Sequence, residues 1–170
     1  AILTSIAFGC EINFDSIQIE GIRHISPLDI QFASDLGYRI KLLGMARKTE
    51  AGIQQRVHPC MVPVSAPIAH VEGVYNAVVT EGSFVGRTMY EGRGAGEGPT
   101  ASAVVADIID IALSRNTNLF LVPTVKLERM QVAPVSSYIG SYYARFMVTD
   151  KTGVFATIAN ALNDNGVSME

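Results

Sequence analysis

Apolar positions along this chain recur at two periods, and the switches between them mark its elements. Ile2, Leu3, Ile6 and Ala7 recur at helical spacing and Gly9 fits a stop, so residues 1–9 read as the last turns of a buried helix. Residues 13–22 carry Phe14, Ile17, Ile19 and Ile22, with Glu20-Gly21 as a turn. The next helix carries the fullest set of start signals. Ser26 is a natural N-cap, Pro27 takes the first helical position and Asp29 completes a capping-box pattern. Ile30, Ala33 and Leu36 predict its apolar face, and Gly37 suits a left-handed cap. Strands are predicted over 38–46, apolar on both faces around Lys41, and over 56–62. A short capped helix at 65–71 precedes a strand at 74–80. Glu81-Gly82-Ser83 then turns the chain into 84–90, a hairpin.

That hairpin runs into Gly92-Arg93-Gly94-Ala95-Gly96-Glu97-Gly98-Pro99-Thr100, four glycines at alternate positions opening onto an apolar helix at 99–113. Val104, Ile108 and Ile111 form one stripe of that helix, with Val105, Ile109 and Ala112 beside it and Asp107 and Asp110 off it. Glycine permits positive φ and close backbone approach, and a helix start presents unpaired N–H groups and the positive dipole end. Together they suit a phosphate or a cofactor carboxamide. The loop does not open a dinucleotide-binding domain of the usual kind. Pro99 stands where the third glycine of that fingerprint belongs, and no acidic strand end follows about 20 residues later. The competing reading is a tight connection whose glycines serve packing alone.

Residues 114–141 change character. Asn116-Thr117-Asn118, Pro123, Pro134 and Ser136-Ser137 break up short apolar pieces, as in a linker. Residues 142–149 then alternate as a strand does, 150–153 form a tight loop, and Val154, Phe155, Ile158, Ala159 and Leu162 make a helix face. Gly166 ends that helix and Val167 begins another strand. The order β-loop-α-β is the front half of a small α+β domain. Asp150 reads either as a plain N-cap or as part of a site where a carboxylate meets a helix N-terminus. The chain reads as entered partway through its first helix and cut just after its last strand begins.

Charge and composition narrow the function. A net charge of −3 and a pI near 5.6, with no Lys/Arg cluster, argue against nucleic acid as a partner. No apolar run reaches the ~20 residues of a membrane span. Cys10, Cys60 and three scattered histidines offer no metal-ligand spacing, and buried free thiols in a reducing, cytoplasmic setting are the simpler reading. His24, His58 and His70 have no catalytic pairing, and Lys41 reads as a side chain snorkelling from a sheet edge. No catalytic or metal-binding residue is assigned.

Several segments, taken in order, resemble homoserine dehydrogenase. They are Ala1-Ile2-Leu3, Glu20-Gly21-Ile22, Asp29-Ile30, Leu36-Gly37-Tyr38, Ile40-Lys41-Leu42-Leu43 and Val57-His58-Pro59. Val71-Glu72-Gly73-Val74-Tyr75-Asn76-Ala77-Val78, Gly94-Ala95-Gly96 and Pro99-Thr100-Ala101-Ser102-Ala103 continue the match. Residues 142–170 resemble the first half of an ACT regulatory domain.

The resemblance implies an α/β fold: a mixed-sheet substrate-binding and dimerisation domain with helices on one face, then a truncated ACT-like α+β unit. Residues 1–113 would be the first part, including a helix returning to the cofactor, 114–141 a linker, and 142–170 a partial ACT domain. It implies an oxidoreductase interconverting L-homoserine and L-aspartate 4-semialdehyde with NAD or NADP, in threonine, methionine and isoleucine biosynthesis. Gly94, Ala95, Gly96, Glu97 and Thr100 would border the cofactor. Asp150, Thr152, Gly153 and Val154 would hold an amino-acid effector, with threonine the first candidate. The family's proton-transfer lysine and substrate-binding aspartate would precede Ala1, so these residues alone are expected to be inactive. A homodimer or higher homo-oligomer is expected. A non-catalytic dimerisation and amino-acid-sensing module is the alternative.

Overall fold

The computed structural model describes residues 1–115 and 118–169. Asn116 and Thr117, part of the break read after the long helix, and Glu170, at the end of the last predicted strand, lie outside the described residues. The chain divides into two units, Ala1–Gly140 and Ser141–Glu170.

The first unit opens with α1 (Ile2–Phe8), closed by Gly9 in the left-handed conformation at φ 64°. Its buried residues are Thr4 and Ser5, whereas Ile2 and Leu3 are exposed, so the expected apolar burial of this helix is not made within the unit. A two-residue strand β1 (Gln18–Ile19) follows, then α2 (Pro27–Asp35). The capping box at α2 forms as its sequence requires. Ser26 Oγ accepts from the Asp29 N–H at 3.3 Å, and the Asp29 carboxylate accepts from the Ser26 N–H at 2.9 Å. The buried row of α2 is Asp29 and Ala33, one turn apart; Ile30 and Leu36 are exposed. The small Ala33 lets the helix lie close on the sheet, so the contact row is not the bulkiest one.

Strands β2 (Tyr38–Thr49) and β3 (Gly52–Pro63) form one long antiparallel hairpin, from Tyr38 opposite Pro63 to Thr49 opposite Gly52. Both run beyond the predicted segments, because a continuous ladder satisfies backbone groups that the polar residues at its far end would otherwise leave unpaired. β1 joins β3 in parallel, giving a mixed sheet in the order β1-β3-β2. Residues 131–133, inside the stretch read as linker, return to this sheet, and Glu128 pairs with the chain after α1. Ile53 donates to the Gln131 carbonyl at 2.8 Å, Ala133 to Ile53 at 2.9 Å, and Glu128 to Gly9 at 3.0 Å. Ile53 and Ala133 are buried there.

The segment read as a helix at 65–71 is one 3-10 turn, Pro67–His70. Beyond it β4 (Tyr75–Gly82) and β5 (Gly86–Arg93) make the expected hairpin, a separate two-stranded sheet. The long helix α3 (Glu97–Ala112) starts two residues ahead of Pro99 and buries none of its residues.

The second unit holds one helix, α4 (Val154–Asp164). Its C-terminus closes with Gly166 at φ 69°, where Gly166 donates to Asn163 and Val167 to Leu162, both at 2.9 Å. Residues 142–149 and the described residues from Val167 onward, both predicted as strands, form no ladder.

Candidate functional site

The glycine loop sits between β5 and α3, and each of its residues has a distinct local cause. β5 delivers the chain to Arg93, and the Gly94 N–H then donates to the Val74 carbonyl at 3.2 Å, extending the hairpin by one bond. Gly96 is the N-cap of α3 at φ 121°, ψ 159°, a conformation that side chains disfavour. The helix closes on it through the Thr100 N–H, which donates to the Gly96 carbonyl at 3.1 Å. Pro99 has no N–H, so the donors left at this helix start are Glu97 and Gly98. A Cβ on Gly98 would meet nothing within 4 Å.

The Glu97 and Gly98 N–H groups and the open Gly98 stand together at this helix start. The structure thus brings Gly94, Ala95, Gly96, Glu97 and Thr100 together on one turn. Beyond it, the exposed face of α3 carries a shallow depression lined by Ala101, Ser102, Val105, Ala106 and Ile109.

The frame under the loop is polar. Lys41 Nζ donates to the Val71 carbonyl at 2.7 Å, so this lysine is tied to the backbone ahead of β4 rather than snorkelling free. Arg39 pairs with Glu72 and reaches the Ala69 carbonyl at 3.4 Å. Asn76, not singled out by sequence reading, lies against Gly94. The signal available for it was a lone amide in an otherwise apolar strand start.

His58 and His70 bond to the carbonyls of Pro59 and Val64, and no group of three or more His, Cys, Asp or Glu suits a metal among the described residues. Cys10 and Cys60 are free thiols. Burial raises the Cys60 pKa above the ordinary thiol value, and the nearby Arg56 guanidinium offsets this in part. Asp150 does not cap α4. The N-cap is Gly153 at φ 90°, with no side-chain cap bond, and Asp150, Thr152 and Gly153 are exposed at that helix start beside half-buried Val154.

The fold is a mixed α/β domain whose β4–β5 hairpin feeds a glycine loop and a helix start. The family model for homoserine dehydrogenase matches residues 1–109, and the chain belongs to that family. It is 45% identical to homoserine dehydrogenase of Neisseria gonorrhoeae over 175 residues, covering 99% of this chain and 40% of that protein. It is 42% identical to the Pseudomonas aeruginosa enzyme, again over 99% of this chain and 40% of the relative. The crystal structure of a homoserine dehydrogenase from Thiobacillus denitrificans superposes with a TM-score of 0.80 at 38% identity, over 96% of this chain and 39% of that one. The chain therefore spans about two fifths of the length of these relatives.

Proposed function

We propose that these residues are part of a longer NAD(P)-dependent oxidoreductase that interconverts L-homoserine and L-aspartate 4-semialdehyde. The observation that carries this reading is the family match across residues 1–109, which includes the glycine loop and most of α3. In it, residues 1–113 are the substrate-binding and dimerisation domain with its returning helix, 114–141 the linker and 142–170 the start of an ACT domain. The nicotinamide supplies the hydride acceptor when bound. This chain's part is to hold it: the Glu97 and Gly98 N–H groups orient its polar edge, and open Gly98 allows close approach. In this reading the group that takes the hydroxyl proton lies elsewhere in the longer enzyme. The cofactor is NAD or NADP, and the compartment is the cytoplasm.

Steady-state assay tests this. The complete enzyme should reduce NAD⁺ or NADP⁺ with L-homoserine, and residues 1–170 alone should not. Turnover by residues 1–170 at the rate of the complete enzyme would overturn the division of labour, and no turnover by the complete enzyme would overturn the activity. An amino-acid-sensing role is favoured for one part only, the start of α4, where an effector carboxylate would meet free N–H groups.

A further inference from the structure

We propose that Asn76 is a positioning residue for the cofactor loop: its carboxamide, set against Gly94 and sharing the Val74 carbonyl with the Gly94 N–H, fixes where residues 94–98 lie. The proposal rests on the reading of that loop as cofactor-facing.

Three observations carry it. The first is a shared acceptor. Asn76 Nδ2 donates to the Val74 carbonyl at 3.3 Å, and the Gly94 N–H donates to the same oxygen at 3.2 Å. A carbonyl has two lone pairs, so both bonds coexist, and the loop's entry is pinned to the start of β4.

The second is steric. A Cβ built on Gly94 would stand 2.8 Å from Asn76 Cγ and closer still to Nδ2. Gly94 is not among the glycines at positive φ, so an alanine would fit its backbone. The space a side chain would take there is filled by the carboxamide end of exposed Asn76. Asn76 stands directly opposite Gly92 in the β4–β5 ladder, with Tyr90 on one diagonal and Gly94 on the other, so two of its three same-face neighbours across the hairpin are the glycines Gly92 and Gly94. Neither presents a side chain to it.

The third is the frame. The Tyr75 N–H donates to the Glu72 carbonyl at 3.2 Å, Arg39 pairs with the Glu72 carboxylate, and Lys41 holds the Val71 carbonyl. Asn76 therefore braces the loop against a turn that is itself anchored to β2. A small displacement of a group that orients a reacting ring is costly in rate, so the brace acts on cofactor binding without touching the cofactor.

The test is kinetic, in the complete enzyme, with four variants: Gly94→Ala, Asn76→Ala, Gly94→Ala/Asn76→Ala and Gly98→Ala. Gly94→Ala should raise the dinucleotide KM by about tenfold or more, because the new methyl must displace Asn76 or the loop. Asn76→Ala should raise the same KM by about three- to tenfold while the homoserine KM stays within about twofold. The double variant should bind dinucleotide better than Gly94→Ala alone, since removing the amide makes room for the methyl.

A dinucleotide KM unchanged in Asn76→Ala, or a double variant no better than Gly94→Ala, overturns the proposal. Gly98→Ala separates the two levels, because it adds a methyl that meets nothing in this chain. If Gly98→Ala leaves the dinucleotide KM unchanged, the cofactor-facing loop itself fails. If Gly98→Ala raises it while Asn76→Ala does not, only the brace fails. Should Asn76→Ala not fold, Asn76→Ser, which also empties the space beside Gly94, replaces it in the same comparison.

Discussion

Gly94, Gly96 and Gly98 are two residues apart, yet each is glycine for its own reason. Gly94 faces the Asn76 carboxamide, Gly96 has a φ of 121°, and Gly98 is an open helical position. Substitution at Gly96 therefore does not report cofactor contact by itself, since any side chain there is strained whether or not a ligand is close. Gly98 is the cleaner probe. Gly98→Ala should stabilise the complete enzyme by about 0.5–1 kcal/mol in chemical denaturation, because alanine is the better helix former. A stability gain joined to a higher dinucleotide KM would mark close approach of a ligand at that Cα.

Cys60 gives a second prediction at this scale. Burial keeps its thiol protonated beyond the ordinary range, so at pH 8 it should be alkylated by iodoacetamide more slowly than free cysteine. The sign of the linkage follows. The folded chain holds this proton more firmly than the unfolded one. The contribution is thus complete below the ordinary thiol pKa and is lost as pH rises through the raised one.

At the scale of elements, local chemistry settles the ends and leaves the faces open. The Ser26–Asp29 capping box forms as written in the sequence, and Ser26→Ala should lower stability by about 1 kcal/mol in thermal or urea unfolding. The C-terminus of α4 likewise closes on Gly166. At the start of α4 the sequence allowed Asp150 to cap, but Gly153 takes that position. Asp150→Ala should therefore leave stability unchanged. If the carboxylate instead holds an effector amine, the variant should raise the threonine concentration needed for feedback inhibition in the complete enzyme. Calorimetry showing no amino-acid binding by that enzyme would remove the regulatory reading.

The whole molecule is short of cover. α3 buries none of its residues, and Leu42, Met45, Val78 and Tyr90 on the strands are exposed. Exposed apolar surface of this extent belongs against other protein. We expect the complete enzyme to sediment as a dimer or larger at micromolar concentration, with the β2–β3 sheets meeting across a two-fold axis. A monodisperse monomer would count against this.

What the sequence determined by itself is what short-range physics governs. The Ser26–Asp29 capping box, the glycine stops, the β4–β5 hairpin and the start of a helix near Pro99 each depend on a few neighbouring residues, and all are present, whereas the Asp150 cap is not. Ordered motifs likewise identified the family, since a fixed series of short matches is far more specific than any one of them.

The tertiary structure decided what depends on distant partners. It chose Ala33 rather than Ile30 as the packed row of α2, returned residues 131–133 to β3 at Ile53 and paired Glu128 with the chain after α1. It tied Lys41 to Val71 and pressed Asn76 against Gly94. No periodicity in the chain encodes which side chain fills the space beside a glycine. That space exists only once two strands have paired, and pairing between distant segments is set by the closure of the fold as a whole.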